Sequence, residues 1–457
     1  MMNLTRRNFL RGVAASSAFS LAGNSDGVRA AVQTGAGPST PARRGPSETR
    51  EELIDYFKGV APKLLRPAEG VLHYPSISPS LPGKAYSTQL WDWDTYWTAR
   101  GLFRLAKLTG DADLHRNVTE HAQGSLLNFF DHQSEDGRIP IMIDVNDADF
   151  FSCLRTRAPN PNNQAKPVMG QLALLIADDI GDVKWLAPRF DNLMRFYDSW
   201  ILGNQTDLGL LVWGDDVAIG DDNDPTTFGR PFFSSANLML NCLYYQDLRS
   251  AAELAKRLNR LSDEQSLTHR ADELKASIQR CCWDRRDRFF YTVDVQCVDR
   301  RAELIPNPQR GMAMSWSCLP LRIQMFTGFL PMWCGLASAE QANELLQIHY
   351  RNSDKFRAPA GVRSLSSEES MYSLVYSSNP SNWLGPIWIV VNYFVWKGFK
   401  AYGFESEAED LANKTARVLS TDLSTSGSTN EYYHPDTGKP LSHPGFVDWN
   451  MLVLEMI

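Results

Sequence analysis

Residues 386–396 read Pro386-Ile387-Trp388-Ile389-Val390-Val391-Asn392-Tyr393-Phe394-Val395-Trp396. Apolar side chains fall on every side of the helix this run would form, and such a helix is stable only when other protein surrounds it. The next helical pattern, Glu405 onward (ESEAEDLANKTARVL), is amphipathic and charged, as a surface helix would be. Buried helices followed by exposed ones imply an inner and an outer layer. Apolar residues at three- and four-residue spacing recur at Leu90–Leu108, Asp113–His132, Val168–Ile180, Trp185–Leu202, Ser234–Leu258, Asp263–Cys282, Ala337–Tyr350, Pro386–Tyr402 and Glu405–Leu423. Asp113 and Ser262-Asp263-Glu264 are candidate helix starts. Only short pieces such as Phe289–Val293 have strand character, and they read as hairpin decoration. About a dozen helices in two rings make an all-α (α/α)6 toroid the economical fold. No short exact repeat marks a solenoid.

The ends of the chain read differently. Thr5-Arg6-Arg7-Asn8-Phe9-Leu10 is a twin-arginine pattern, followed by a mild apolar run from Gly12 to Gly23 and a small-x-small site, Val28-Arg29-Ala30. Residues 1–30 are thus expected to be a twin-arginine signal peptide. Residues 31–48, rich in Pro, Gly, Ser, Thr and Ala, are expected to be a disordered linker, and 49–457 one catalytic domain. The export machinery is a partner of the precursor, and the mature form belongs outside the cytoplasm, periplasmic or extracellular. A net charge of −7 argues against nucleic acid or an anionic membrane as a partner. Seven cysteines, an odd number with Cys242, Cys318 and Cys334 in apolar contexts, suggest buried thiols rather than a disulfide framework. Oligomeric state is not readable.

Between two helical patterns lies Leu211-Val212-Trp213-Gly214-Asp215-Asp216-Val217-Ala218-Ile219-Gly220-Asp221-Asp222-Asn223-Asp224-Pro225. Asp and Asn compete with regular backbone bonding, and Gly and Pro break periodicity, so this is a loop. It reads either as a solvated turn, with or without a calcium ion, or as a catalytic loop carrying an acid. Regular calcium-loop spacing is absent and no cofactor is called for. Other stretches share a mixture of carboxylate, amide and Trp that suits sugars, whose C–H faces meet aromatics and whose hydroxyls meet acceptors. They are Gln89-Leu90-Trp91-Asp92-Trp93-Asp94-Thr95-Tyr96-Trp97, Gly137–Ile143, Asn162-Asn163-Gln164-Ala165-Lys166-Pro167, Asn379–Trp388, and Ser428–Gly438 leading to Gly445–Asn450. Trp91 and Trp93 read equally well as core, with Asp92 as a helix cap.

In order and spacing the set resembles glycoside hydrolase family 63 and the related trehalases, closest to the compact bacterial mannosylglycerate and glucosylglycerate hydrolases. The resemblance covers about residues 70–457. It rests on Trp93-Asp94-Thr95, on Gly220-Asp221-Asp222-Asn223-Asp224-Pro225, on Asn382-Trp383-Leu384-Gly385-Pro386-Ile387-Trp388, and on Glu431 followed by Val447-Asp448-Trp449-Asn450. Leu384 stands where the family has arginine, and Asp224 where it has serine. The resemblance implies an (α/α)6 barrel and hydrolysis with inversion of an α-linked glucoside or mannoside, exo-acting and on a small or oligosaccharide substrate. Asp222 would be the general acid and Glu431 the general base, with carboxyls ~6.5–9.5 Å apart to admit a water.

Asp94 is the candidate for gripping sugar hydroxyls. Trp91, Trp93, Trp383 and Trp388 would wall the pocket, Gln164 would add an amide contact, and Gly385 and Trp449 complete the substrate-binding set. Asp215, Asp216, Asp221 and Asp224 read first as turn-capping residues. Their second reading is as neighbours whose charge keeps Asp222 protonated, or as groups that hydrogen-bond sugar hydroxyls. Two rivals remain at this level: a sugar-binding protein without catalysis, and a lyase or epimerase on the same toroid, for which His434 and His443 near Glu431 are the candidates.

Overall fold

The computed structural model describes residues 45–154, 160–296, 317–351, 355–376 and 380–457. The signal segment, the linker up to residue 44 and Asn379 lie outside the described residues.

The apolar run becomes helix α10, Ile389–Ala401, with Ile389–Val395 buried. Numbering from the N-terminus, the helices before it are α1 (Pro46–Leu64), α2 (Asp92–Thr109), α3 (Ala112–Asp131), α4 (Met169–Ile180) and α5 (Phe190–Asn204). Then come α6 (Leu238–Arg257), α7 (Leu261–Cys281), α8 (Leu330–Trp333) and α9 (Ala339–Glu344); α11 (Glu405–Ser426) and α12 (Val453–Met456) follow α10. The packing closes a ring. Helix α2 lies beside α4, α4 beside α6, α6 beside α8, and α8 beside α10. Helix α10 then meets the 3-10 turn Asp448–Leu452, which packs back on α2. The remaining long helices form the outer layer, with α3 on α2, α7 on α6 and α11 on α10; α1 covers the seam between α11 and α2. This is the expected (α/α)6 toroid.

Each fully buried Val, Ile or Phe of α10 contributes about 1.5–3 kcal/mol of transfer free energy. Its one buried amide is satisfied: Asn392 Oδ1 accepts from Val362 N–H (2.8 Å) and Nδ2 donates to Thr415 Oγ1 (2.9 Å). At the seam, Gly101 of α2 lets Met451 approach so closely that a Cβ would stand 2.3 Å from Met451 Cβ.

Several boundaries differ from the sequence reading, each for a local reason. The chain is already helical at Pro46, inside the stretch expected as linker: Pro opens the helix and Glu48 Oε2 accepts from Gly45 N–H (3.0 Å). Helix α3 is capped by Asp111, not Asp113; its carboxylate takes Leu114 N–H at 2.9 Å. The 185–202 pattern breaks at Pro188 into a 3-10 turn, Lys184–Arg189, and α5, because Pro lacks the N–H a helix interior needs. Helix α9 continues as a π-helix, Leu345–Arg351. Helix α10 starts three residues late because Ile387 is held extended by paired bonds with Tyr433 (2.8 and 2.9 Å). The inner segments 326–333 and 448–456 give too short a period to be seen in the sequence.

The described strands are two or three residues long. Cys242, Cys282 and Cys334 are buried free thiols, and Cys318 is partly buried. Among the described residues no helix is long and apolar enough to cross a membrane. The loops that enter the inner segments bond to one another. Lys166 before α4 reaches Asp92 of α2, Asn163 reaches Asp215, Asn223 reaches Trp383, and Tyr433 reaches Ile387. They gather at one mouth of the ring.

Candidate active site

The acidic loop is fixed from outside and from within. Asn163 grips its start: Nδ2 donates to Asp215 Oδ1 (2.8 Å) and Val217 O (2.9 Å), and Oδ1 accepts from Gly214 N–H (2.9 Å). Asp215 also takes Val217 N–H (3.0 Å); burial first, then the charge of Asp216, pushes its pKa up to about 7. Asp216 accepts from Gly229 N–H (2.6 Å). Gly220 has φ +102 and lies on the Trp93 ring, where a Cβ would stand 3.1 Å from a ring carbon.

Asp224 is fully buried and accepts from Thr226 N–H (2.8 Å), Thr226 Oγ1 (2.8 Å) and Asn237 Nδ2 (2.9 Å). Asp221 is also fully buried, and no N–H or hydroxyl donor reaches its oxygens; it meets the Asp224 carboxyl. Two carboxyls in contact need a proton between them, and burial together with Asp224's charge places it on Asp221, whose pKa is driven far up.

Asp222 is the half-buried carboxyl left at the mouth. Burial is the chief cause that pushes its pKa up to about 6, and the Glu431 charge adds to it; Lys166 and a bond from Ser381 work the other way. So the added carboxylate beside Asp222 comes from across the mouth. Asp215, Asp216 and Asp224 accept backbone N–H groups, as their first reading had it; Asp221 caps no turn and instead meets Asp224.

The opposite side is built on a short hairpin, Tyr432–Tyr433 paired with Pro440–Ser442. Glu431 precedes it and is 4% exposed. Its N–H donates to Ser442 O (3.0 Å) and its carbonyl accepts from Trp449 Nε1 (3.3 Å). Behind it Asn430 donates to both oxygens of Asp422 (3.1 and 2.9 Å), and Asn450 Nδ2 donates to Asn430 O (2.8 Å). His443 Nδ1 bonds Glu431 Oε2, and Ser442 Oγ lies 2.8 Å from the same nitrogen.

Between the two sides sit Asp94 and Asp448. They share a contact: Asp448 is fully buried, takes Thr98 Oγ1–H (2.7 Å) on one oxygen, and has no donor on the other. Burial, then Asp94's charge, drives the Asp448 pKa far up, so Asp448 holds the shared proton; burial also pushes Asp94 up to about 7. Tyr86 completes the group, its phenol kept protonated by burial and by Glu431, Asp222 and Asp94. Lys166 supplies positive charge, ion-paired with fully buried Asp92 at 2.9 Å and 5.4 Å from the Trp93 ring centre.

The aromatic residues divide. Trp91 is partly exposed beside Tyr86 and Phe151. Trp93 (3% exposed) and Trp449 (3%) meet at 5.8 Å. Trp383 and Trp388 are fully buried and stacked at 3.9 Å, so they form the backing of the wall, not its surface. Trp383 N–H donates to Asn223 Oδ1 (2.7 Å), tying the acid loop to that backing. Gly385, at φ +139, accommodates the Tyr372 ring. Gln164 turns away: its carbonyl oxygen takes Ser199 Oγ–H (3.0 Å) of outer helix α5.

Tyr86 was missed, in a loop with no chemical signature. Lys166 and Asp448 lay inside noted stretches without a role of their own, and His443 was named only for the rival lyase reading. Among the described residues no group of three His, Cys, Asp or Glu side chains gathers to hold a metal ion.

Residues 87–447 match the family described as mannosylglycerate hydrolase MGH1-like glycoside hydrolase domain. A mannosylglycerate hydrolase of Thermus thermophilus is 27% identical over 155 residues, 32% of this chain and 32% of that protein. Mannosylglycerate hydrolase MGH1 of Selaginella moellendorffii is 32% identical over 111 residues, 24% of this chain and 20% of that one. The chain's matches thus span a third or less of these relatives' length. Among solved structures, a Thermus thermophilus mannosylglycerate hydrolase in complex with glucose aligns with TM-score 0.63 and 18% identity, over 89% of this chain and 99% of that one. Neutral trehalase Nth1 of Saccharomyces cerevisiae aligns with TM-score 0.55 and 15% identity, over 84% and 74%.

Proposed function

Since the chain belongs to the MGH1-like glycoside hydrolase family, we propose that it hydrolyses an α-linked glucoside or mannoside with inversion. Asp222 is the general acid and Glu431 the general base. The observation that supports the reading is that half-buried Asp222, its pKa pushed up to about 6 chiefly by burial and opposed by Lys166 and Ser381, also feels the charge of Glu431. Asp222 protonates the departing oxygen. Glu431 takes a proton from a water that attacks the anomeric carbon from the other face. Asp94 holds hydroxyls of the sugar in the cleaved position, and Trp91, Trp93 and Trp449 offer their rings to its C–H faces.

The substrate is small and cleaved from its end, in keeping with the mannosylglycerate-hydrolase names of the relatives. We place the precursor on the twin-arginine route, with residues 1–30 removed and the toroid, from Pro46, as the one catalytic domain outside the cytoplasm. Neither candidate base of the lyase reading stands free: His443 is engaged with Glu431, and His434 Nδ1 accepts from the N–H groups of Asp436 (3.2 Å) and Thr437 (3.4 Å) in its own turn.

The test is a panel of trehalose, kojibiose, nigerose, α-mannobiose, glucosylglycerate and mannosylglycerate, with proton NMR following the anomer released. Release of the β-sugar, abolished in Asp222→Asn and Glu431→Ala, is the expected result. Release of the α-sugar, or cleavage that survives both substitutions, would overturn it.

A further inference from the structure

Glu431 stands among other carboxyls, and its motif does not say what orients it. Asp222 lies across the mouth, and Asp94 and Asp448 lie at the ring seam. The phenols of Tyr86 and Tyr432 also face it. Lys166 acts on Asp222 and Asp94, and its ion pair is with Asp92. Among the described residues the group ion-paired with Glu431 is His443.

His443 is placed there by the backbone. Tyr432 pairs with Ser442, and Glu431 N–H donates to Ser442 O, so Ser442 stands beside Glu431 on the return strand. The next residue would continue away from the site. Instead His443 takes φ +48, a left-handed conformation that side-chain-bearing residues seldom adopt. This folds the imidazole back onto the Glu431 carboxylate. The Tyr86 ring meets it edge-on at 5.4 Å. Strain of this kind costs about 1–3 kcal/mol and persists where the surroundings enforce it.

We propose that His443 is the positioning residue of the general base: as an imidazolium it binds Oε2 of Glu431, fixes the orientation of the carboxylate, and leaves Oε1 to the attacking water. Among the described residues nothing else bonds Oε1. The balance is simple. Water's oxygen bonds the anomeric carbon as the glycosidic C–O bond breaks, its proton goes to Oε1, and Asp222's proton goes to the leaving oxygen. His443 keeps both of its protons throughout. In support, the bond and charge of Glu431 raise the His443 pKa against the effect of burial, which is the largest contribution and lowers it.

The inference rests on reading Glu431 as the base, and the test separates the two. The probes are α-mannosyl fluoride and α-glucosyl fluoride, whose leaving group needs little protonation, so the rate reports the base side. His443→Gln keeps a donor and loses the charge; His443→Asn is the second variant should the first not fold. Loss of the cation should move the acid limb of the pH–rate profile upward. Activity should return at higher pH. A profile that keeps its shape and only loses amplitude would overturn the role. On the wild-type fold, one histidine resonance should titrate at lower pH in Glu431→Gln than in the parent; no change in any histidine would also overturn it. If Glu431→Gln hydrolyses both fluorides at the parent rate, the base assignment itself fails, whatever His443 does.

Discussion

The two carboxyls at the mouth share a chemistry and differ in everything around them. Asp222 rides on a loop held by backbone amides and carboxyls, with Lys166 and Ser381 as the groups that favour its charge. Burial dominates there, and the proton stays until about pH 6. Glu431 rides on a hairpin edge, with an imidazole on one oxygen and the Asn430–Asp422 contacts behind it. On the roles proposed above, the neighbours rather than the residue type would separate the acid from the base.

The largest break in that contrast comes from removing either member. Asp222→Asn and Glu431→Gln should each cost about 10²–10⁴-fold in kcat on a substrate with a poor leaving group. On a glycosyl fluoride, Asp222→Asn should recover most of its rate and Glu431→Gln should not. Equal behaviour on both substrates would show that the two roles are not distinct.

Next in size is Lys166→Met. It leaves Asp92 charged and fully buried without its partner, which costs about 3–5 kcal/mol of stability and is read as a fall in the unfolding midpoint. In whatever fraction folds, the alkaline limb should move up, because Lys166 favours the ionised form of Asp222.

Asn223→Ala cuts the tie between the acid loop and the buried Trp383, freeing an N–H that was bonded at 2.7 Å. A buried donor left alone costs about 1–3 kcal/mol. Activity should fall with little change in the pH profile, since Asn223 carries no charge. A shifted profile instead would mean that the loop's position sets the Asp222 proton.

The smallest expected effects are in pH dependence. The parent should lose activity as pH rises through about 6, where Asp222 gives up its proton. Ser381→Ala removes a bond to the ionised form and should move this limb upward by less than a unit. Asp215 sharpens the comparison through stability. Its folded pKa, about 7, lies above the unfolded value, so its stabilisation is present below pH ~4 and is lost as pH rises through 7. Asp215→Asn should therefore raise Tm slightly above pH ~7.5 and leave it unchanged near pH ~4.

The toroid was legible because its long helices repeat a strong period, and the run 386–396 could not be exposed. Its short inner segments, 326–333 and 448–456, were not, because a turn or two of helix carries no measurable period. At the site, motifs with local order pointed to Asp222, Glu431 and Asp94. Tyr86 and Lys166 reach the mouth from distant loops through tertiary folding, whereas His443 lies on the same hairpin as Glu431 and is brought onto it by a left-handed turn that the sequence does not announce. Gln164 lay in a polar loop yet faces α5, since a sequence does not say which way a loop side chain turns.

The seam between α2 and the last inner segment has a kinetic consequence. Its bonds join residues far apart in the chain: Thr98 to Asp448 is a span of 350 residues and Arg100 to Glu455 one of 355. Closing so long a loop carries an entropy cost that grows as the logarithm of its length, and local helix hairpins form without it. Helical signal should therefore return early in refolding and activity late, because Asp94, Asp448 and Glu431 come together only when that last stave closes the barrel.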